Sequence, residues 1–98
     1  MNLIMLVEHD GSGRFFVKTE HGEAELNYRM INDKIMSIYH TFTPPEDRGK
    51  GIADSMATEA FRFAEKSGFK IRPDCPYIPE FVKKHVEFSK DLVDYVGS

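Results

Sequence analysis

The first half of the chain carries the hydrophobic pattern of short strands. Between Ala24 and Met30, apolar and polar residues alternate strictly, which is the period of a strand with one buried and one exposed face. Apolar and β-branched runs predict three further strands over residues 3–8, 14–19 and 35–43. Short segments rich in Gly, Asp and Asn separate these runs, so we expect the four strands to form an antiparallel meander.

The pattern changes to a helical period in the second half. Apolar residues recur at spacings of three and four, at Ala53, Met56, Ala57, Ala60, Phe63 and Ala64. They predict an amphipathic helix over residues 52–67 that ends at Gly68. A short strand over residues 69–72 follows, and the intervening helix lets it join the fourth strand in parallel, as a β-α-β crossover. A second helix is predicted with Pro79 in its first turn, and a last short helix with Ser89 as its N-cap.

Composition and charge narrow the class of protein. The chain has 98 residues, of which 41% are hydrophobic and 30% charged, as expected of a single globular domain spanning residues 1–98. Its formal net charge of −3 argues against nucleic-acid binding. No apolar run approaches the roughly 18 residues that a membrane-spanning helix needs. Cys75 has no partner for an intrachain disulfide, so we expect a cytoplasmic protein, and we expect it to be a monomer.

The segment between the fourth strand and the first helix is the strongest functional signal. It reads Arg48-Gly49-Lys50-Gly51-Ile52-Ala53. Two glycines let backbone N–H groups converge, and the following helix directs the positive end of its dipole at the same point, which makes an anion site for a phosphate or pyrophosphate. An ordinary glycine turn between a strand and a helix is the alternative explanation.

Three phosphate-loop patterns can be compared with this segment. The spacing does not fit the G-x-x-x-x-G-K-[ST] loop, and Asp54 stands where the dinucleotide pattern G-x-G-x-x-G needs its third glycine. The pattern R-x-x-G-x-A does fit, with Arg48, Gly51 and Ala53 in its fixed positions. This pattern is typical of loops that bind the pyrophosphate of acetyl-CoA.

Three further segments extend the match: Tyr39-His40-Thr41 before the loop, and Cys75-Pro76-Tyr77 and Phe81-Val82-Lys83-Lys84-His85 after it. With them the chain resembles the GNAT superfamily of acetyl-CoA-dependent N-acetyltransferases, and within it the short YjdJ-type acetyltransferases, over about residues 14–86. The resemblance implies a reduced GNAT-like α/β fold, a mainly antiparallel sheet with one parallel β-α-β crossover. It also implies acetyl-CoA as the cofactor and an amine as the acceptor.

The resemblance also implies which residues hold the cofactor. They are Phe42, Thr43, Arg48, Gly49, Lys50, Gly51, Ile52 and Ala53. A backbone N–H near Phe42 or Thr43 would polarise the thioester carbonyl, which Pro44 and Pro45 cannot do because they lack an N–H. The helices that ordinarily follow the first strand have no room in this chain. The acceptor side is therefore expected to be open, which favours a large acceptor such as a protein lysine.

His40 and Cys75 are the candidate catalytic residues. Imidazole exchanges a proton near neutral pH, so His40 is a candidate general base; the alternative is a histidine hydrogen-bonded beside the sheet. Cys75 is a candidate acid for the leaving thiolate or a transient acyl carrier, and the alternative is a buried apolar side chain. No metal site is predicted, because His9, His21 and His85 lack ligand spacing with one another or with Cys75.

Three functions follow from these residues. The leading hypothesis is acetyl transfer from acetyl-CoA to an amine. The second is a module that binds CoA or acyl-CoA without turnover. The third is a thiol enzyme in which Cys75 is the nucleophile and His40 its base, and this one would remain active without CoA.

Overall fold

A five-stranded sheet organises the part of the chain that the computed structural model describes, residues 6–93. Its strands are β1 (Glu8–Asp10), β2 (Arg14–Thr19), β3 (Gly22–Met30), β4 (Ile35–Phe42) and β5 (Lys70–Pro73). They lie in sequence order; β1 to β4 are antiparallel neighbours, and β5 pairs with β4 in parallel. The predicted α/β fold, a meander with one parallel crossover, is confirmed.

Two α-helices cover one face of the sheet. They are α1 (Ile52–Ser67) and α2 (Tyr77–Lys84), and two short 3-10 helices occupy Pro45–Asp47 and Val86–Asp91. The bounds of α1 are those that the hydrophobic period predicts, and Gly68 ends it in the left-handed conformation. In α2, Pro79 lies in the first turn, where its missing N–H costs no hydrogen bond. Between residues 6 and 93, neither helix combines the length and the apolarity that crossing a membrane requires.

The two ends of the described chain differ from prediction. The first strand is found at Glu8–Asp10, because Asp10 pairs with Arg14 in a tight hairpin; residues 3–5 of the predicted strand lie outside the described residues. The helix predicted from Ser89 is wrong. The chain is extended at Leu92, and the Val93 N–H donates to the carbonyl of Ile71 at 2.8 Å, so this segment adds to the outer edge of β5. The prediction that this helix includes Val96 falls outside the described residues.

A β-bulge in β4 changes which side chains face the helices. Asn27 pairs with His40 and Tyr28 with Ile38, so Tyr39 is an extra residue with no partner on β3. Before the bulge Ile38 faces the core, and after it Thr41 does, opposite the buried Leu26. His40 and Phe42 consequently lie on the helix-free face of the sheet. One inserted residue thus reverses the two faces of the last part of the strand.

The core lies between the sheet and the inner face of α1. Met56, Ala57, Ala60, Phe61 and Ala64 are fully buried there, and the three alanines let the helix approach the strands closely. The Phe61 ring lies 5.5 Å from that of Phe81 in α2 and 5.0 Å from that of Phe88. Phe61 therefore joins the long helix to both segments that follow β5.

Replacing Phe61 with alanine should be among the most destabilising single changes in the chain. The substitution removes a fully buried ring and leaves a cavity among three elements, so we expect a loss of about 3–5 kcal/mol in the free energy of unfolding. Urea unfolding followed by circular dichroism measures it. Phe42→Ala is the control, since that ring is 42% exposed and should cost far less. A loss below about 1 kcal/mol for Phe61→Ala would contradict this packing.

Candidate active site

A cleft of about 620 Å3 opens beside the end of β4. It exists because β4 and β5 separate: their pairing ends at Ile38 and Pro73, and the last backbone hydrogen bond is that of the Cys75 N–H, which donates to the Ile38 carbonyl at 2.9 Å. Beyond Ile38, the ladders among the described residues pair β4 with β3 only. The edge of β4 that β5 leaves unpaired forms one wall of the cleft.

Seven of the eight predicted cofactor residues line this cleft. They are Phe42, Thr43, Arg48, Gly49, Gly51, Ile52 and Ala53. Lys50 is the exception. The cleft is completed by Thr41, Asp47 and Asp54, and by Tyr77 and Lys84 of α2. The structure therefore brings the end of β4, the glycine loop and the first turn of α1 together around one space.

The two loop glycines are required by the backbone. Gly49 has φ 83° and Gly51 has φ 81°, the left-handed region that other L-residues rarely adopt. A Cβ atom at either position would meet no atom within 4 Å, so crowding by the protein is not the reason. Gly51 is also the N-cap of α1, and the first N–H groups of a helix have no partner within it. The residues that carry these N–H groups line the cleft.

A buried carboxylate fixes the loop. Asp47 is 1% exposed and accepts hydrogen bonds from Nδ1 of His21 at 3.0 Å, from the backbone N–H of His21 at 3.3 Å and from Nζ of Lys50 at 3.0 Å. The hydrogen bond from His21, together with that from Lys50, holds the pKa of the Asp47 carboxyl well below its usual range. The same hydrogen bond raises the pKa of His21. Lys50 is thus held at the base of the loop.

This cluster also contains the one group among residues 6–93 with the spacing of metal ligands. Ligand atoms of Glu20, His21 and Asp47 lie within 4.8 Å of one another. The Lys50 ammonium, at 3.0 Å from Asp47, already neutralises the buried carboxylate and would repel a cation. The lack of a metal site stays a prediction, and the arrangement explains the loop without one.

A second carboxylate joins the two helices across the cleft. The Tyr77 hydroxyl donates to Oδ1 of Asp54, and Oδ2 of Asp54 lies 3.4 Å from Nζ of Lys84 and 3.7 Å from Nε2 of His85. Asp54 belongs to the first turn of α1 and its partners to α2 and its end. These contacts set the width of the cleft opposite β4.

The two candidate catalytic residues lie apart. Cys75 is buried at the point where the strands separate, and its Sγ is 3.4 Å from Oγ1 of Thr41. His40 is on the helix-free face, 52% exposed, with Nε2 4.0 Å from Oε2 of Glu25. Neither residue lines the cleft, although Thr41 does. The structure therefore brings Cys75 to Thr41 and does not bring it to His40.

Five residues that line the cleft were not among the predicted cofactor residues: Thr41, Asp47, Asp54, Tyr77 and Lys84. Thr41 belongs to a quoted segment, but the face it occupies depends on the bulge. An acid three residues before Lys50 is a weak local sign of the contact with Asp47. Nothing local identifies Asp54 as more than a polar residue on the outer side of α1.

A mixed sheet whose parallel pair diverges around a glycine loop is the architecture of an acyl-CoA acetyltransferase. The family model described as GCN5-related N-acetyl-transferase matches residues 14–92, and the chain belongs to this family. The resemblance to the GNAT superfamily is thereby confirmed, and that to its short YjdJ-type members stays a prediction.

Individual relatives agree with this assignment. The chain is 35% identical over 82 residues to Protein NATD1 of Gallus gallus and of Homo sapiens, a match that spans 81% of this chain and 74% and 73% of those proteins. A GCN5-like protein from Staphylococcus aureus, solved by NMR, superimposes with a TM-score of 0.73 over 91% of this chain and 88% of its own, at 18% identity. The second comparison shows the fold.

The contact between His21 and Asp47 should make stability depend on pH. Because folding raises the pKa of His21, its contribution is fully present below the unfolded value of about 6.5 and is lost as pH rises through the higher folded value. We expect the free energy of unfolding to fall more steeply with rising pH, from about pH 6 upward, in the wild type than in His21→Gln.

Urea unfolding at a series of pH values measures this slope. The difference between the two curves isolates His21 from His9, whose pKa is lowered by burial and which therefore acts in the opposite direction. Asp47→Asn should remove the same part of the slope, since the charge that stabilises the imidazolium is gone. Parallel curves for the wild type and His21→Gln would show that the contact does not stabilise the protonated ring.

Proposed function

We propose that the chain is a single acetyl-CoA-binding domain that transfers the acetyl group to an amine. The observation that carries the proposal is the cleft at the end of β4, which is lined by the glycine loop and the first turn of α1. Membership of the GCN5-related family supports it. A cytoplasmic location and a monomeric state remain part of the proposal.

The cofactor would be held mainly by backbone groups. The N–H groups of the loop and of the first turn of α1 would donate to the pyrophosphate, whose charge the helix dipole also favours. The unpaired edge of β4 beyond Ile38 offers N–H and C=O groups to the amide-containing arm, as an added strand would. Arg48 supports this arrangement, since its Nε donates to the Thr43 carbonyl at 3.1 Å and spans the loop.

The chemistry would be direct attack of the neutral amine on the thioester. Acetyl-CoA supplies an activated acetyl group; the new C–N bond forms, the C–S bond breaks, and the departing thiolate needs a proton. The N–H of Phe42 or Thr43 would stabilise the developing oxyanion. Cys75 would supply the proton through the Thr41 hydroxyl, which lies between its thiol and the cleft.

The acceptor would approach from the helix-free face of the sheet. His40 lies on this face and would act there as the general base for the amine. Glu25 is beside His40, and Glu23 and Glu25 both contact Arg14, at 2.6 and 3.2 Å. These carboxylates would attract a basic acceptor such as a protein lysine.

A CoA-binding module without turnover is the second candidate. It is favoured by one observation: neither Cys75 nor His40 lines the cleft. Both functions share the cofactor site, and only turnover with an amine separates them. The thiol-enzyme alternative is not supported, because Cys75 contacts Thr41 and His40 lies on the other face of the sheet.

Binding of acetyl-CoA at the loop can be tested with two matched glycine variants. Gly51 and Gly68 have φ 81° and 80°, and a Cβ at either meets no atom within 4 Å, so alanine should cost both about the same backbone strain, roughly 1–2 kcal/mol. Only Gly51 lines the cleft. We expect Gly51→Ala to weaken acetyl-CoA binding at least tenfold, and Gly68→Ala to leave it unchanged.

NMR titration measures the affinity of both variants and of the wild type for acetyl-CoA. In the wild type, amides over residues 42–53 should shift first as acetyl-CoA is added. Equal affinities in the two variants would place the ligand elsewhere. Failure of the wild type to saturate at millimolar acetyl-CoA would remove the cofactor assignment altogether.

Substitution of Cys75 tests whether its thiol acts in acetyl transfer and not in the binding of acetyl-CoA. If its thiol is the proton donor, Cys75→Ala should slow acetyl transfer per folded molecule by about 100-fold or more, while acetyl-CoA affinity stays nearly constant. Thr41→Val keeps the shape of the side chain and removes the hydroxyl, so it should slow transfer in the same way. Release of CoA in the presence of an amine measures the rate.

The alternatives give different results in this assay. A binding module shows no turnover in any variant. An acyl carrier leaves an acetyl group on Cys75, visible by mass spectrometry and removed by added amine. A rate that neither substitution changes would overturn the role of the thiol.

A further inference from the structure

The cations that line the cleft are not the two basic residues of the loop: Arg48 lines it, but Lys50 does not, and Lys84 of α2 does. Lys50, the basic residue between the two loop glycines, has its ammonium 3.0 Å from the buried carboxylate of Asp47 and does not line the cleft. Lys84, at the end of α2, does line it, together with Arg48. The two cations reach the same space from opposite sides, Arg48 from the loop and Lys84 from the second helix.

Lys84 is held loosely. Its Nζ lies 3.4 Å from Oδ2 of Asp54, at the long end of an ion pair, and the side chain is 59% exposed. A pair with this exposure contributes little to stability. The cost of releasing Lys84 to another anion is correspondingly small.

Asp54 would keep partners if Lys84 moved. The Tyr77 hydroxyl donates to its other carboxylate oxygen, and Nε2 of His85 lies 3.7 Å from Oδ2. Release of the lysine therefore leaves no isolated charge, which is the usual obstacle to breaking an ion pair. The 3′-phosphate monoester and the pyrophosphate taken as a whole each carry about two negative charges and offer more acceptor oxygens than a carboxylate, so either would compete well for the ammonium.

We propose that Lys84 is a phosphate-binding residue of the cleft, which exchanges Asp54 for a phosphate of the nucleotide end of CoA. The proposal rests on the proposed function, because it needs acetyl-CoA in the cleft. It assigns to α2 a cation at the cofactor, where the family resemblance implies Lys50. Lys50 then acts through Asp47, by holding the loop in shape.

The chain provides a matched control one residue away. Lys83 lies on the same helix, is 73% exposed, pairs with Glu80 at 3.1 Å and does not line the cleft. Lys84→Met and Lys83→Met remove the same charge from neighbouring positions, so they change the net charge of the protein equally. Lys84→Arg keeps the charge and tests whether charge in the cleft is what matters.

Calorimetric titration measures the affinity of the wild type and the three variants for acetyl-CoA and for its analogue that lacks the 3′-phosphate. We expect Lys84→Met to weaken acetyl-CoA binding about tenfold, Lys83→Met less than twofold, and Lys84→Arg to recover most of the affinity. Raising the salt concentration should weaken the wild type more than Lys84→Met, since one phosphate contact has been removed. Thermal unfolding checks that all variants are folded.

The analogue identifies which phosphate is bound. If Lys84→Met loses affinity for acetyl-CoA only, Lys84 contacts the 3′-phosphate. If it loses affinity equally for both ligands, Lys84 contacts the pyrophosphate. Either result supports the proposal. Equal affinities for Lys84→Met and Lys83→Met, in a protein whose wild type binds, overturn it and leave the proposed function intact. No binding by the wild type overturns both.

Discussion

The separation of β4 from β5 after Ile38 is the constraint on which the rest of the site depends. Two parallel strands that continued to pair would consume the edge of β4 and leave no space between them. The extra residue at Tyr39 bends β4 and reverses its faces just beyond the point where β5 ends at Pro73. The hydrogen bond from Cys75 to Ile38 then fixes the point of divergence. The cleft is therefore a property of the sheet, and the helices only complete its walls.

The glycine loop is held by contacts with residues outside it. Left-handed glycines alone would give a chain with many conformations. The buried Asp47 limits them by binding the turn after β2, through His21, and the loop itself, through Lys50. Because the Asp47 carboxylate is buried and fully engaged, loss of either partner would leave its charge undercompensated. The shape of the loop is thus maintained by an ion cluster whose carboxylate, Asp47, lies at the wall of the cleft.

Local sequence patterns predicted most of the strands and helices, whereas contacts between residues far apart in sequence determine the site carboxylates and the end of the chain. The hydrophobic period and Gly68 fixed α1, because both act within a few residues. The fold class followed from the turns and the crossover. The contact of Asp47 with His21 spans 26 positions and that of Asp54 with Tyr77 spans 23, so no local pattern predicted either.

The prediction of a terminal helix was wrong for the same kind of reason. The edge of β5 offers Leu92 and Val93 backbone partners that a helix would not use. Seven of the predicted cofactor residues lie together at the cleft because most of them belong to one contiguous loop, whereas the placement of His40 depended on the bulge.

The order of the strands has a consequence for how the protein assembles. Strands β1 to β4 pair with their neighbours in sequence through short turns, so the meander closes only small loops. The pairing of β4 with β5 joins Ile35 to Lys70 across the whole of α1, and its loop-closure entropy is larger. We therefore expect the meander to form early and β5 to dock late in folding. Because the cleft is bounded by the divergence of β4 and β5, a newly made chain would have most of its sheet before it has a place for a ligand.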